Sequence, residues 1–166
     1  MDSTGGDAGS PARIARVAAG ADRYGERRRL GSSNIAFKVT PEDSAGVLVL
    51  ENTFYAPGGP ARHLHHHQDE WFYIAEGEFL MEIGSERFEL RQGDSILGPR
   101  GAPHVWAYTG SAGSSAPGRI VVAFFPAGQM EAFFREVTQA NAMPPQDPEL
   151  WRRHGMALLG PPLRIE

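Results

Sequence analysis

Between Ile35 and Phe125 the sequence never runs far before Gly, Pro, Asn, Asp or Ser interrupts it, and this punctuation is what most limits the fold. The segments between breaks are short, apolar and rich in β-branched or aromatic residues, the pattern of strands joined by turns. Candidate strands are Ile35–Thr40, Val47–Tyr55, Arg62–His67, Trp71–Glu76, Glu78–Ile83, Arg87–Leu90, Ser95–Leu97, His104–Thr109 and Arg119–Phe125. Gly84-Ser85 is the tightest hairpin signal, because Gly at the first central position suits a type II′ turn. Such spacing predicts an all-β barrel or sandwich.

The 166 residues suit one domain, and 41% hydrophobic residues are enough for a core, but 20 Gly and 13 Pro exclude a helical bundle. Residues 1–34 are small and polar and predict a flexible N-terminal arm, within which Arg23, Arg27, Arg28 and Arg29 read as a solvated charge run interleaved with Asp22 and Glu26. Residues 35–126 form the barrel. In residues 127–166 the period changes: Met130, Phe133, Phe134 and Val137 recur at helical spacing within Gly128–Ala140. A second short helix is marked by Asp147 as N-cap, Pro148 in the first turn and Gly155 just past the end. Both helices are expected to pack on the barrel, and Gly160-Pro161-Pro162-Leu163 closes the chain. Ser111–Gly118 reads as a flexible loop, and no solenoid or propeller repeat is present.

The absence of Cys excludes disulfides, thiolate metal sites and cysteine nucleophiles, so any metal must be held by nitrogen and oxygen. With 16 basic and 20 acidic residues the net charge is −4, which argues against a nucleic-acid surface or a polybasic membrane anchor and favours a small-molecule partner. The N-terminus has neither a basic start nor an apolar h-region, and no apolar run would span a bilayer, so a cytoplasmic protein is expected.

Four of the six His lie in His63-Leu64-His65-His66-His67-Gln68-Asp69-Glu70. Residues i and i+2 of a strand share a face, so His63 and His65 can point two imidazoles at one ion while Leu64 faces away. Glu70 has the wrong parity for that strand and joins only if the chain turns and a new strand begins near Asp69. His104, after Pro103, starts another aromatic strand. His66 and His67 read as exposed turn residues, although His67 shares parity with His65 and is a candidate spare ligand or base. His154 reads as a favourable charge at a helix C-terminus.

These residues resemble the cupin motifs. Pro57–Gly77 is similar to the first motif, HxH, four spacers, Glu, six spacers, Gly, through His63, His65, Glu70 and Gly77. Gly93–Tyr108 is similar to the second motif, Gly, five spacers, Pro-x-Gly, two spacers, His, through Gly93, Pro99, Gly101 and His104. Pro57 stands where the family usually has Gly, and Tyr108 where Asn often ends the second motif. The resemblance implies a cupin (jelly-roll type) β-barrel with a short C-terminal helical segment, and one divalent ion (Fe, Mn, Ni, Co, Cu or Zn) held by His63, His65, Glu70 and His104. It also implies a homodimer, and the chain's end looks like small bacterial cupins of the quercetin-dioxygenase-like kind.

Phe72 follows Glu70, and Trp106 and Tyr108 follow His104, on the ligand-bearing faces; they serve equally as a substrate pocket wall or as barrel core. Three neutral imidazoles and one carboxylate leave a divalent ion with a charge of about +1 and open positions. That favours an anionic oxygen chelator. The expected function is a metal-dependent dioxygenase acting on a phenolic or enolic small molecule, with Glu70 as catalytic base. Alternatives are a non-oxidative isomerase, cyclase or decarboxylase, and a non-catalytic metal- or small-molecule-binding cupin.

Overall fold

The computed structural model describes residues 14–44, 46–110, 116–140 and 146–165. Among the described residues eleven strands form two antiparallel sheets. They are β1 (Arg28–Leu30), β2 (Ser33–Val39), β3 (Leu48–Phe54), β4 (Ala61–His65), β5 (Asp69–Glu76), β6 (Glu78–Ile83), β7 (Glu86–Leu90), β8 (Ser95–Gly98), β9 (His104–Gly110), β10 (Gly118–Phe125) and β11 (Met156–Pro162). The two helices are α1 (Met130–Val137) and α2 (Pro148–Arg153). One sheet runs β1-β2-β3-β10-β5-β8 and the other β11-β4-β9-β6-β7. This is the expected jelly-roll arrangement, with the core between the sheets.

Period two decides which side chains meet there. On β3, Leu48, Leu50, Asn52 and Phe54 are buried while the residues between them are half-exposed, and β10 offers Ile120, Val122 and Phe124 from the neighbouring strand. Phe54 meets Trp106 and Phe79 edge-on, at centroid separations of 5.5 and 6.0 Å, the geometry that aromatic quadrupoles prefer. The β6–β7 hairpin turns at Gly84, whose φ of +59° is the left-handed value that the first central position of a primed turn requires.

Two expectations need correction. The stretch read as a flexible N-terminal arm is built into the fold from its described middle onward: β1 pairs with β2, and β2 starts at Ser33. The reason is a buried ion pair. Asp22, its side chain 3% exposed, holds the Arg28 guanidinium and accepts from the backbone N–H groups of Phe37 (2.8 Å) and Tyr24 (2.9 Å). Arg28 also lies 4.2 Å over the Phe37 ring. Arg23 pairs with Asp43 at 2.8 Å, so the arginine run is partly an internal clamp rather than a solvated face. Residues 1–13 and the greater part of the Ser111–Gly118 loop lie outside the described residues.

The second correction concerns the C-terminus, read as two helices after which Gly160-Pro161-Pro162-Leu163 closes the chain. Met156–Pro162 is instead a strand, pairing with β4 through Met156↔His65 and Leu158↔His63. The register shifts at Gly160 and again at Pro162. Prolines are tolerated there because β11 is the outermost strand of its sheet, where a missing N–H faces no partner. Both helices form as expected, α2 with Asp147 capping the Glu149 N–H at 3.0 Å and with Gly155 beyond its end at φ +79°. His154 buries against α2 and donates from Nδ1 to the Leu150 carbonyl at 2.9 Å.

The Asp22 clamp generates a pH prediction. Burial alone would raise the Asp22 pKa, but the Arg28 hydrogen bond and the backbone donors outweigh it and hold it below 3.8. A depressed carboxyl contributes stability that is present above its unfolded pKa and lost as pH falls through the folded value. Asp22→Ala leaves buried Arg28 with Glu26 alone (2.5 Å) and removes the acceptor of the Tyr24 and Phe37 N–H groups, which should cost about 2 kcal/mol, the usual worth of a hydrogen bond to a charged group. Urea unfolding at neutral pH should read that loss, and it should shrink as acid protonates Asp22 in the wild type.

Candidate metal centre

The strand β4 points Ala61, His63 and His65 inward and Arg62 and Leu64 outward, as period two demands. His66 and His67 are exposed in the following turn, and β5 begins at Asp69, so Glu70 regains an inward position from the opposite sheet. His104 opens β9 and pairs directly with His63. The loop before it, from Pro99 to Pro103, is fixed twice. Gly101 N–H donates to the His65 carbonyl at 2.7 Å, and Arg100 holds Asp69 through its guanidinium (2.7 Å) and its backbone N–H (2.9 Å). Both anchors sit beside residues of the site itself.

The result is four buried side chains, His63, His65, Glu70 and His104, whose ligating atoms lie within 4.8 Å of one another. Glu70 Oε2 stands 2.9 Å from His104 Nε2 and 3.1 Å from His65 Nε2. His63 Nδ1 donates to the Ala61 carbonyl at 2.7 Å and His104 Nδ1 to the Ala102 carbonyl at 3.1 Å. The Ala61 bond leaves His63 Nε2 as the basic atom, the orientation that metal-binding histidines take from a neighbouring carbonyl, while His104 Nε2 carries a proton to the ionised Glu70 carboxylate. His65 Nδ1 is buried without a partner among the described residues. Three imidazoles and a carboxylate at these separations fit a divalent ion of the nitrogen- and oxygen-loving kind.

The electrostatics of the four groups follow from the same contacts. Burial, then the neighbouring His104 and His65, push His63 down to about 3, so its ring is neutral. For Glu70 burial acts upward, but the attraction of His65 and the hydrogen bonds from both imidazoles carry its carboxyl well below the ordinary range. For His104 burial acts downward, and the Glu70 bond outweighs it and raises the pKa.

The centre opens onto a cavity of about 470 Å³ lined by the two sheets, by Leu30, Ser32 and Ser33, and by the helices through Met130, Phe133, Phe134 and Trp151. Of the three expected wall residues, Trp106 lines it. Phe72 and Tyr108 do not. Phe72 packs behind, 6.0 Å from Trp106 and 6.1 Å from the His104 ring, and is fully buried core. Tyr108 turns away to donate its hydroxyl to the Ala116 carbonyl at 2.9 Å. Shared strand parity puts a side chain inside the barrel, but depth along the strand decides whether it reaches the cavity. Asn52, Phe54 and Trp151 are walls that the sequence reading missed. Asn52 could have been found as the one polar residue in an alternating apolar row; Trp151 had no signal beyond burial on a helix.

Gly59 explains how the segment before β4 approaches the site. A Cβ there would stand 1.9 Å from the Trp106 carbonyl oxygen, so only Gly lets this backbone lie against β9. The adjacent Gly58 exchanges two backbone hydrogen bonds with Tyr108, at 3.0 and 2.9 Å.

A double-sheet antiparallel barrel with a buried three-histidine, one-glutamate centre is the architecture of one class of small β proteins, and the comparisons agree. Residues 53–124 match the cupin domain family. The matched segment holds all four donors and is a cupin domain. Over 42 residues it is 43% identical to an uncharacterised protein of Methanocaldococcus jannaschii, a match covering 25% of this chain and about a third (34%) of that protein's length. Its fold is similar to that of an RmlC-like cupin from Shewanella frigidimarina (TM-score 0.51, 21% identity, 64% of this chain and 87% of the other). It is also similar to Pac13, a nucleoside dehydratase, at TM-score 0.52 and 13% identity over 83% of this chain and 87% of the other, and to a Streptomyces form of that protein with uridine. Among the described residues no helix is long and apolar enough to cross a membrane.

The histidine environment is directly measurable. In metal-free protein, nitrogen-15 spectra of His63 should show a neutral ring protonated at Nδ1, with no titration near 6.5, since its folded pKa lies at about 3. A His63 ring that titrates near its ordinary value would contradict the burial described.

Proposed function

We propose that the protein is a divalent-metal-dependent cupin enzyme, a dioxygenase acting on a phenolic or enolic small molecule. The observation carrying this reading is the convergence of four buried donors within 4.8 Å at the side of an apolar cavity. In this reading His63, His65, His104 and Glu70 hold the ion, which supplies Lewis acidity and open positions for an anionic oxygen chelator and for dioxygen. Glu70 has a second task. In this reading its carboxylate also accepts the substrate's hydroxyl proton, and bound substrate must displace the His65 and His104 contacts that hold its basicity down in the free protein. Phe54, Trp106 and Phe134 present faces and edges suited to a flat ring and keep water from it.

The tests separate metal, chemistry and register. Metal analysis of protein prepared without a chelating tag should give one ion per chain, and chelation should lower the melting temperature, because a ligand bound only by the native state stabilises it. His65→Ala should abolish metal binding while His66→Ala leaves it intact; the reverse order would mean a strand register shifted by one residue. Dioxygen uptake with a panel of flavonols and diketones should accompany substrate loss. Turnover without uptake would favour an isomerase, cyclase or decarboxylase, and binding without turnover a container. Glu70→Gln should lower turnover by about 10²–10⁴ while losing much less metal, the usual worth of a positioned base. The cupin resemblance also makes a homodimer the expected assembly, which sedimentation returning only monomer would exclude.

A further inference from the structure

β4 carries two of the four candidate donors, yet the barrel strand beside it holds little of its length. Among the described residues it meets β9 at the single pair His63↔His104, whereas β11 runs along its other side from Met156↔His65 through Leu158↔His63 to Pro162↔Ala61. Past the end of β4 the His66 N–H donates to the Gly155 carbonyl at 3.0 Å, in the turn that joins α2 to β11. The C-terminal segment therefore grips the histidine strand from end to end. It lies outside residues 53–124, the part matched to the family.

The same segment reaches a donor side chain. Trp151, buried on α2, packs its ring against the His63 imidazole, with 4.9 Å between centroids and 52° between planes. Phe133 of α1 backs the indole at 5.3 Å. The His63 ring is otherwise bordered by two fellow ligands, His104 at 4.5 Å and His65 at 5.1 Å. Its Nδ1 bond to the Ala61 carbonyl, 2.7 Å long, fixes one point and leaves the ring able to swing about the line from that point to Cβ. A broad wall on one face removes the swing, because an indole turns about only two side-chain torsions and is itself wedged. An apolar wall also keeps water from that side of the centre.

We infer that Trp151 is a positioning residue for the metal centre: it holds the His63 ring in its ligating orientation, and docking of α2 and β11 on β4 is coupled to binding of the ion. This deepens the metal part of the proposed function and rests on it, not on the oxygen chemistry. By linkage each event strengthens the other, since an ion that favours the docked arrangement stabilises it.

The test uses the full chain and zinc, which is redox-inert and reports binding without turnover. Zinc affinity is measured by competition with a chromophoric chelator in wild type, Trp151→Phe, Trp151→Ala and Asp22→Ala. Trp151→Ala should lose roughly 10–100-fold, the usual worth of a residue that orients a metal ligand. Trp151→Phe keeps an aromatic wall and should recover most of that loss. Asp22→Ala weakens the fold away from β4 and should bind zinc as wild type does. The reciprocal arm is amide hydrogen exchange. Zinc should slow exchange in β11 more than in β7, the outermost strand at the other end of the same sheet, and the excess should vanish in Trp151→Ala. The wild-type comparison of the two strands stands whether or not Trp151→Ala folds. Wild-type affinity in Trp151→Ala, an equal loss in Asp22→Ala, or equal slowing of both strands would each overturn the inference. If wild type takes up no zinc under metal-replete conditions, the metal reading itself falls and the coupling with it.

Discussion

A carboxylate from one sheet reaches two imidazoles of the other, and the interior is arranged around that contact. Glu70 on β5 meets His65 on β4 and His104 on β9, at 3.1 and 2.9 Å. Burying these groups costs several kcal/mol of lost hydration, which the protein offsets only if each has its partners in place. The surroundings supply them: the Ala61 and Ala102 carbonyls fix two rings, and Arg100 on Asp69 and Gly101 on the His65 carbonyl secure the loop that delivers the third histidine. A cation at this position would satisfy the same donors with less strain on their protonation states. That links metal affinity to fold stability without further machinery.

The centre was legible in the sequence because local geometry governs it. Two histidines one residue apart must share a strand face, and Glu70 corrects its parity through the turn at His66–Gln68, as its separation required. The barrel strands were legible for the same reason, since turn residues and alternation act within a few positions. What escaped depends on distant partners. β1 is three residues long and forms because Asp22 neutralises buried Arg28, a pair that looks like ordinary surface charge in the sequence. β11 contains two prolines and is a strand only because it lies at a sheet edge against β4.

The cavity wall was legible in part. Trp106 reaches the cavity, whereas Phe72 and Tyr108, of the same parity, end in core contacts. An antiparallel barrel has depth as well as an inside, and depth follows from where each strand pairs with its neighbours. Met81 opposite Trp106 and Phe79 opposite Tyr108 set that level for β9, and both pairings are non-local.

The cavity draws its walls from separate stretches of chain. The four candidate ligands lie between His63 and His104, inside the segment shared with the family, whereas Leu30 and Ser33 come from before it and Phe133, Trp151 and Met156 from after it. The donor atoms therefore come from the middle of the chain alone, whereas the cavity wall is shared between the middle and the flanks. Substitutions in the flanks can reshape what fits without touching a donor atom, and so this architecture can change its ligand by drift in the two ends while its central chemistry stays fixed.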